Sequence, residues 1–308
     1  MSTMINETAT ETFNETAAAV VHGTSVALSP SNGKLPDDAP PATKKRENPI
    51  AFVLPPAILG ALIIGLWYFA SLVILDESRR FLLEPPHKVV QNAFLKWDVL
   101  HEMLDSLWSS GKVALWGLGI AIVLGFALAI LMSQSKLIER AVFPYSVVLQ
   151  SMPILAIVPL IGFWFGYGFN SRVFVAVLIA LFPIVVNTLF GLTSADQGMH
   201  DLLTLHGAGR LTRLRKIQFP AALPAIFAGL RISAGLAVIG AIVGDFFFGQ
   251  GDVGIGQLLK RFAARLEGEA LLAAVFLSCG MGVAVFMIFG WLNNRLVGKW
   301  ATVSRGRN

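Results

Sequence analysis

Few residues in this sequence of 308 are of types that act directly on a substrate. The single cysteine, Cys279, lies inside an apolar run, so neither an intrachain disulfide nor a cysteine-based metal site is possible. The histidines, which show no spacing typical of metal ligands, are His22, His87, His101, His200 and His206. Even His200 and His206 do not share one face of a helix, because they are six residues apart. We expect no catalytic residue and no metal site in this chain.

The chain also lacks a phosphate-binding loop, since the pattern Gly-x-x-x-x-Gly-Lys-Ser/Thr occurs nowhere in the sequence. In many ATP-hydrolysing proteins, the backbone amides and the lysine of that loop hold the nucleotide phosphates. We therefore expect the chain to bind no cofactor and to hydrolyse no ATP itself.

Polar residues within apolar stretches are the remaining candidates for a functional role. Burying such groups in lipid is costly, so they usually face a cavity, a pathway or a partner. The candidates for a solute pathway are Gln150, Ser151, Asn187, Thr188 and Asp245. Asp245, near the end of an apolar run, either is solvated at the membrane surface, pairs with a basic residue, or acts on the substrate or in gating. Arg231 is expected to reach the membrane interface or to anchor a neighbouring loop.

Long apolar runs must position these residues. Hydrophobic residues make up 55% of the chain and charged residues 14%, whereas soluble domains carry about a quarter charged residues. The runs cover residues 50–75, 113–132, 141–165, 173–192, 223–246 and 271–292. Each is close to the roughly 20 residues that cross a bilayer as a helix, and they lack the alternation of a membrane strand. The sequence therefore predicts an all-α, polytopic membrane protein with about six transmembrane helices.

Polar and basic segments flank this membrane domain, which spans residues 49–292. Residues 1–48 are rich in Thr, Ala, Glu, Asn and Pro, which predicts a disordered tail. Residues 293–308 form a short basic tail. Lysine and arginine concentrate in cytoplasmic segments, so the charges beside the runs predict that both termini lie in the cytoplasm. An even number of spans requires the two termini to share one side.

Small residues recur at four-residue spacing in two of the runs. The second run has Gly117, Ala121, Gly125 and Ala129, and the fifth has Gly240 and Gly244. This spacing lines one face of a helix with residues that let a neighbouring helix approach closely. The neighbour is either another helix of the same subunit or a helix of a second subunit.

Three prolines interrupt the third run: Pro144, Pro153 and Pro159. Each lacks a backbone N–H and should kink or break the helix. Broken helices often line a pathway, although such prolines also occur in ordinary membrane helices.

The segment between the fourth and fifth runs, residues 194–222, carries the most informative pattern. Leu202, Leu203 and Leu205 precede Gly207 and Gly209, so a short helix should end or turn there. Four basic residues then lead to the proline-marked start of the next run. A short helix on a glycine turn at the cytoplasmic surface would suit the groove of a partner. Taken alone, its arginines would equally fit the basic bias of cytoplasmic loops.

This segment resembles the cytoplasmic signature of the permeases of binding-protein-dependent ABC importers. That signature reads Glu-Ala-Ala, three residues, Gly, nine residues, Ile, any residue, Leu-Pro. The matching positions are Asp201, Leu202, Leu203, Gly207, Ile217, Phe219 and Pro220. The spacing agrees throughout, whereas Asp replaces Glu, two leucines replace two alanines and Phe replaces Leu. These replacements bear on how the loop packs against its ATPase.

Further segments resemble the nitrate, sulfonate and taurine branch of the same family. They are FLLEPPHKVV (81–90), QSMPILAIVPLIGFWFG (150–166), ALFPIVVNTLFGL (180–192), PAALPAIFAGLRISAGL (220–236) and GDVGIGQLL (251–259). The resemblance covers about residues 50–292 and keeps the order of the segments.

The resemblance implies a complex in the plasma membrane of a bacterium. That complex would contain two permease chains, by default a homodimer, two cytoplasmic ATPase subunits that use ATP and Mg²⁺, and an extracytoplasmic substrate-binding protein. The residues that would couple the permease to its ATPase are Asp201, Leu202, Leu203, Gly207, Arg210, Arg213, Ile217 and Pro220.

The branch that this chain resembles implies that the solute is nitrate, a sulfonate or taurine. The run GDFFFGQGDVGIGQLL (244–259) is also similar to permeases for thiamine-precursor pyrimidines or riboflavin. A secondary transporter is the alternative from another class. Such a transporter would usually show two related halves, and no internal repeat relates the first three runs to the last three.

Overall fold

The computed structural model describes the backbone of residues 49–304 and the side chains of residues 54–295. The regular elements in that part of the chain are all helical, which confirms the predicted fold class. The predicted N-terminal tail, residues 1–48, lies outside the described residues, as do the side chains of residues 296–308. The described residues divide after Pro56 into two units, and the packing below is that of the unit from Ala57 onward.

Helices follow one another with short connections throughout the described residues. The α-helices are α1 (Pro49–Phe69), α2 (Pro86–Val89), α3 (Trp97–Gln134), α4 (Lys136–Ser151), α5 (Ile154–Phe165), α6 (Phe169–Thr193), α7 (Gln197–Leu205), α8 (Arg210–Arg213), α9 (Phe219–Phe247), α10 (Ile255–Ala264) and α11 (Gly268–Ser304). Short π-helical segments at Ala70–Ile74, Val90–Phe94 and Leu214–Gln218 extend α1, α2 and α8, and a 3₁₀ helix covers Glu77–Leu82.

Five helical segments of the described chain are long and apolar enough to cross a bilayer. They are Leu54–Ile74, Trp97–Gln134, Phe169–Thr193, Arg210–Phe247 and Gly268–Arg295. The sixth crossing exists only if α4 and α5 are counted as one broken span, because the pair is bent by 101°. The third apolar run, residues 141–165, is therefore a bent pair of helices and not one straight span.

The bend in the third run falls where a proline predicts it. Met152 and Pro153 separate α4 from α5, so Pro153 stands just before the first residue of α5. Pro144 and Pro159 lie inside α4 and α5. One of the three prolines thus breaks the run, and the helix continues through the other two.

Helix α6 lies at the centre of the fold, packed against α3 on one side and α9 on the other. Glycines make both contacts close. A Cβ atom added to Gly117 of α3 would lie 2.5 Å from the Cβ atom of Ala176, and one added to Gly240 of α9 would lie 2.7 Å from the Cα atom of Ala176. Gly125 meets Ile184 in the same way. The small-residue faces therefore serve close packing within one subunit.

The fifth span begins earlier than the apolar run suggests. The chain is helical from Arg210 through the π segment into α9, so the non-helical part of residues 194–222 is limited to a few residues around α7. Pro220 lies ten residues after Arg210 in this continuous helix, one residue beyond the π segment, and the helix continues through it. A proline inside a helix removes one backbone N–H donor, and Pro220 stands where the hydrogen-bond pattern changes from π to α.

Candidate functional site

The predicted coupling residues and Asp245 fall at opposite ends of α9. The segment that resembles the ATPase-coupling signature precedes α9 and includes Pro220 in its first turn, whereas Asp245 lies near its last residue, Phe247. Pro220 and Asp245 are about 38 Å apart along the helix, since an α-helix rises about 1.5 Å per residue. The two ends are therefore distinct sites joined by one helix. We call residues 196–220 the coupling segment.

Helix α7 has a defined start and end. Asp196 caps its N-terminus: one oxygen, Oδ1, accepts hydrogen bonds from the backbone N–H groups of Gly198 at 2.7 Å and Met199 at 3.3 Å. At the other end, Gly207 adopts a φ of 66°, a conformation that favours glycine, and the N–H of Ala208 donates to the carbonyl of Leu203 at 2.9 Å. The predicted short helix ending at a glycine turn is confirmed. Asp196 was missed, although an Asp just before a helix is a common start signal.

Side chains hold the turn after α7 against the next helix. The Nε–H of Arg213 donates to the carbonyl of Ala208 at 3.1 Å, which ties α8 to the turn. Gln134, at the end of α3, donates through Nε2 to Oε1 of Gln218 at 3.1 Å. The coupling segment is therefore attached both to itself and to the end of a neighbouring span.

The outward face of the coupling segment is apolar. Met199, Leu202 and Leu205 on α7 are exposed, as is Leu211 on α8, and Leu205 is 87% exposed. Asp201 and Arg210 are exposed beside them, whereas Leu203 and Arg213 are partly buried. Ile217 and Pro220 are also partly buried. Apolar side chains grouped on a projecting helix are typical of a surface that a partner covers.

At the far end of α9, Asp245 is fully buried and pairs with Arg172 of α6. The Nη1 group of Arg172 donates to Oδ1 of Asp245 at 3.3 Å. Its Nη2 group donates to the carbonyl oxygens of Gln250 at 2.9 Å and Asp252 at 2.8 Å. Pairing with a basic residue was one of the three interpretations of Asp245, and Arg172 is that residue. Arg172 was missed, although an arginine at the edge of an apolar run is itself a signal for a buried partner.

Further hydrogen bonds join α3 and the loop after α9 to this ion pair. The hydroxyl of Ser110 on α3 donates to Oδ2 of Asp245 at 2.5 Å and accepts from the N–H of Ile255 at 2.8 Å. A side chain at Gly254 would overlap the carboxylate of Asp245. The ion pair therefore joins three helices and the loop, and the glycine lets that loop close over the carboxylate.

The other predicted pathway residues do not gather around Asp245. Asn187 and Thr188 lie on α6, and Asn187 is about 22 Å from Arg172 along that helix. The Nδ2 group of Asn187 donates to the carbonyl of Pro183 at 2.8 Å, and Thr188 is buried. Gln150 and Ser151 are exposed at the bend between α4 and α5. The five residues thus occupy three places: the bend, the C-terminal third of α6 and the end of α9.

A polar cavity of about 570 Å³ opens at the same end of the molecule as Asp245, beside α10 and the start of α11. Its charged lining residues are Glu84, Glu102, Arg261, Arg265, Glu267 and Glu269. Within the described residues, no three His, Cys, Asp or Glu side chains lie close enough together to hold a metal ion. The cavity is therefore a charged recess that suits polar contacts.

Comparison with known proteins identifies relatives over most of the chain. Residues 121–298 match the model of the family described as "Binding-protein-dependent transport system inner membrane component". The formylaminopyrimidine transport permease protein ThiX of Halalkalibacterium halodurans is 31% identical over 244 residues, which cover 79% of this chain and 95% of that protein.

Two further relatives carry other names. The putative aliphatic sulfonates transport permease protein SsuC of Escherichia coli is 30% identical over 74% of this chain and 84% of its own length. The nitrate import permease protein NrtB of Synechocystis is 27% identical over 76% of this chain and 87% of its own.

A solved structure shares the fold. It is titled as an amino acid ABC transporter with histidines, and its matching chain gives a TM-score of 0.55 at 17% sequence identity. The match covers 66% of this chain and 98% of that one. At this identity the likeness concerns the fold alone.

Proposed function

Because the chain belongs to the binding-protein-dependent transport system inner membrane components, a family of multi-pass ABC importer permeases, we propose how it works in such an importer. Permeases of this family are not themselves catalytic. Two copies of this chain form the membrane channel, two cytoplasmic ATPase subunits hydrolyse ATP with Mg²⁺, and an extracytoplasmic binding protein delivers the solute. The coupling segment receives the movement of the ATPases.

The orientation of the chain follows from its basic residues. Arg210, Arg213, Arg215 and Lys216 cluster at the coupling-segment end of α9, and basic residues concentrate on the cytoplasmic side of membrane proteins. The coupling segment therefore faces the cytoplasm, and both termini share that side. The ion pair of Asp245 and the charged cavity then face the exterior, where the cavity is available to the binding protein.

The single observation that carries this proposal is the exposed apolar face of α7. Helix α7 is fixed by its cap at Asp196 and its turn at Gly207, yet Leu202 and Leu205 have no cover within the described chain. An amphipathic helix of this kind fits an apolar groove on a partner. Since α8 continues into α9 as one helix, a movement of α7 is transmitted through α8 to the membrane span. Closure of the ATPase pair thereby switches the spans between inward-open and outward-open states.

Two substitutions test the coupling. Leu205→Asp places a charge in the proposed contact, and Gly207→Pro cannot adopt the φ of 66° that the turn needs. Each should lower solute uptake by about tenfold or more, the scale of a loss at the centre of an interface, while the chain still inserts into the membrane. ATP hydrolysis by the ATPases should no longer respond to the binding protein.

A matched control is Leu95→Asp, since Leu95 is exposed and lies before α3, away from the coupling segment. Uptake should change little in this variant. Normal uptake by Leu205→Asp, or an equal loss in Leu95→Asp, would contradict the proposed coupling role.

For the solute, we favour a small neutral heterocycle of the pyrimidine class over an oxyanion. Outside the coupling segment and before Arg295, the basic residues of the five long apolar helices are Lys112, Arg172 and Arg231. Carboxylates pair with Lys112 and Arg172, and Arg231 stacks on Phe286 of α11, whereas the candidate pathway residues lie on α4, α6 and α9. The candidate pathway residues are uncharged amides and hydroxyls apart from Asp245, so they suit a neutral polar solute. Competition assays test this preference: an excess of an aminopyrimidine should inhibit uptake of the transported solute. Inhibition by nitrate or an alkanesulfonate alone would refute the pyrimidine proposal.

A further inference from the structure

Arg231 occupies an unusual place for a charged residue, near the middle of α9. Its Cζ atom lies 3.8 Å from the centroid of the Phe286 ring on α11, a cation–π distance. A Cβ atom added to Gly290 would lie 3.4 Å from the same Cζ atom, so the absence of a side chain there leaves room for the guanidinium. Arg231 is therefore held flat in a recess between α9 and α11.

The guanidinium of Arg231 is not satisfied by the protein residues that the structure describes. Among them, no carboxylate lies within the 4.0 Å limit of an ion pair, and the buried Nε atom has no hydrogen-bond partner. The buried Nε of Arg172 on the neighbouring helix also has no partner among the described residues, but Asp245 and two carbonyl oxygens accept hydrogen bonds from its Nη groups. A charged donor inside a span needs an acceptor, and for Arg231 the acceptor must come from elsewhere.

Neighbouring residues place this recess at the depth of lipid head groups. Trp291 follows Gly290 directly and is 58% exposed, and the Cζ atom of Arg295 lies 5.2 Å from its ring centroid. Tryptophan and arginine near the end of an apolar stretch are typical of the membrane–water interface, and this stretch ends at Arg295. Helical side chains also lean toward the helix N-terminus, so Arg231 points toward the coupling-segment end of α9.

We propose that Arg231 binds the phosphate of an anionic phospholipid in the leaflet on the side of the coupling segment. A planar guanidinium donates two parallel N–H bonds to phosphate oxygens, and stacking on Phe286 fixes its plane before the lipid arrives. The acyl chains then lie along the exposed apolar residues of α11, including Met287 and Ile288. The bound lipid clamps α9 to α11 just above the coupling segment.

Lipid retention tests the site in the full-length chain. The wild-type protein is reconstituted in nanodiscs of phosphatidylglycerol and then released from them. The lipid that stays bound to it is counted by native mass spectrometry. Arg231→Gln should retain about fivefold less phosphatidylglycerol, the weight of one basic residue at an anionic membrane surface. The control Arg295→Gln removes a charge outside the recess, about 7.5 Å beyond Gly290 along α11, and should retain the wild-type amount. Equal loss in both variants would overturn the proposal, because surface charge alone would then hold the lipid.

Two further arms distinguish a bound lipid from a soluble anion. Phosphatidylglycerol should raise the melting temperature of the wild type above its value in phosphatidylcholine, and Arg231→Gln should lose this difference. Inorganic phosphate added to phosphatidylcholine nanodiscs should not reproduce it; if it does, the ligand is a soluble anion and the lipid proposal fails. If Arg231→Gln does not insert, Phe286→Leu, which removes the stacking ring, should lose lipid to a similar extent. Retention of the wild-type amount of lipid by Phe286→Leu would then overturn the proposal.

Discussion

Asp245 and Arg172 carry opposite charges where water does not reach, since both side chains are almost completely buried. Taking two charges out of water is costly, and their attraction offsets that cost only when the remaining donors and acceptors are also satisfied. Here Ser110 and two backbone carbonyls supply most of those partners, and only the Nε of Arg172 has none among the described residues. The ion pair therefore joins α3, α6, α9 and the following loop at one point.

Removing one charge of the pair should destabilise the protein strongly. Asp245→Asn leaves Arg172 buried without a counter-charge, which costs about 3–5 kcal/mol in comparable buried pairs. The measurement is the unfolding free energy of the purified chain in detergent, or the drop in its melting temperature. The double variant Arg172→Met with Asp245→Leu should recover much of the loss, because replacing both charges by apolar groups is often tolerated.

Uptake by the same double variant separates a structural role of Asp245 from a role in transport. A purely structural pair predicts that uptake returns together with stability. Restored stability with uptake still absent would show that the carboxylate also acts on the solute or in gating. A wild-type melting temperature for Asp245→Asn would contradict the buried pair itself.

At the scale of the helices, the seam between α6 and α9 depends on residues that lack side chains. Gly229, Gly240 and Gly244 of α9 each approach α6 so closely that an added Cβ atom would lie 3.0 Å or less from it. Inside a membrane, close packing of this kind replaces much of the hydrophobic driving force that associates helices in water. The antiparallel register of α6 and α9 is therefore set by these contacts.

Gly240→Ala should loosen the seam, because the new Cβ would lie 2.7 Å from the backbone Cα of Ala176. Overpacking of this kind costs about 1–3 kcal/mol. Gly235→Ala is the matched control on the same helix, since nothing lies within 4 Å of a Cβ there and alanine is the better helix former. Thermal melting of the two purified variants should show a lower midpoint for Gly240→Ala only. Equal midpoints would show that the seam relaxes without cost.

At the scale of the whole molecule, α9 joins the coupling segment at one end to a buried ion pair at the other. The helical stretch from Arg210 to Phe247 is continuous apart from the short π segment, and it packs along α6 for most of its length. A continuous helix moves more nearly as a unit than two helices with a loop between them. The coupling segment and the ion pair should therefore move together when the protein changes state.

The proposed orientation predicts that the two ends of α9 lie on opposite sides of the membrane. In a background of Cys279→Ser, Leu205→Cys should react with a membrane-impermeant thiol reagent only after the cells are permeabilised, which gives the reagent access to the cytoplasmic side. Val253→Cys, which is exposed beyond the other end of α9, should react from outside in intact cells. Labelling of both positions from one side would refute the orientation.

Features that depend on neighbours along the chain could be predicted from the sequence alone. The apolar runs predicted membrane helices, Pro153 predicted a break, and Gly207 after a leucine-rich stretch predicted a short helix that ends in a turn. The spacing of Gly117, Gly125 and Gly240 predicted close packing but left the neighbouring helix open. These patterns are readable because helix periodicity, proline geometry and glycine turns act over a few residues.

Which distant residues meet is a property of the folded chain. Arg172 and Asp245 are 73 positions apart, and nothing local in either segment shows that α6 and α9 run antiparallel in the register that joins them. The same holds for Arg231 and Phe286, and for the 101° bend that turns the third run into two helices. Their positions follow from how whole helices pack, and packing depends on the shapes of all the faces together, which no short stretch of sequence contains.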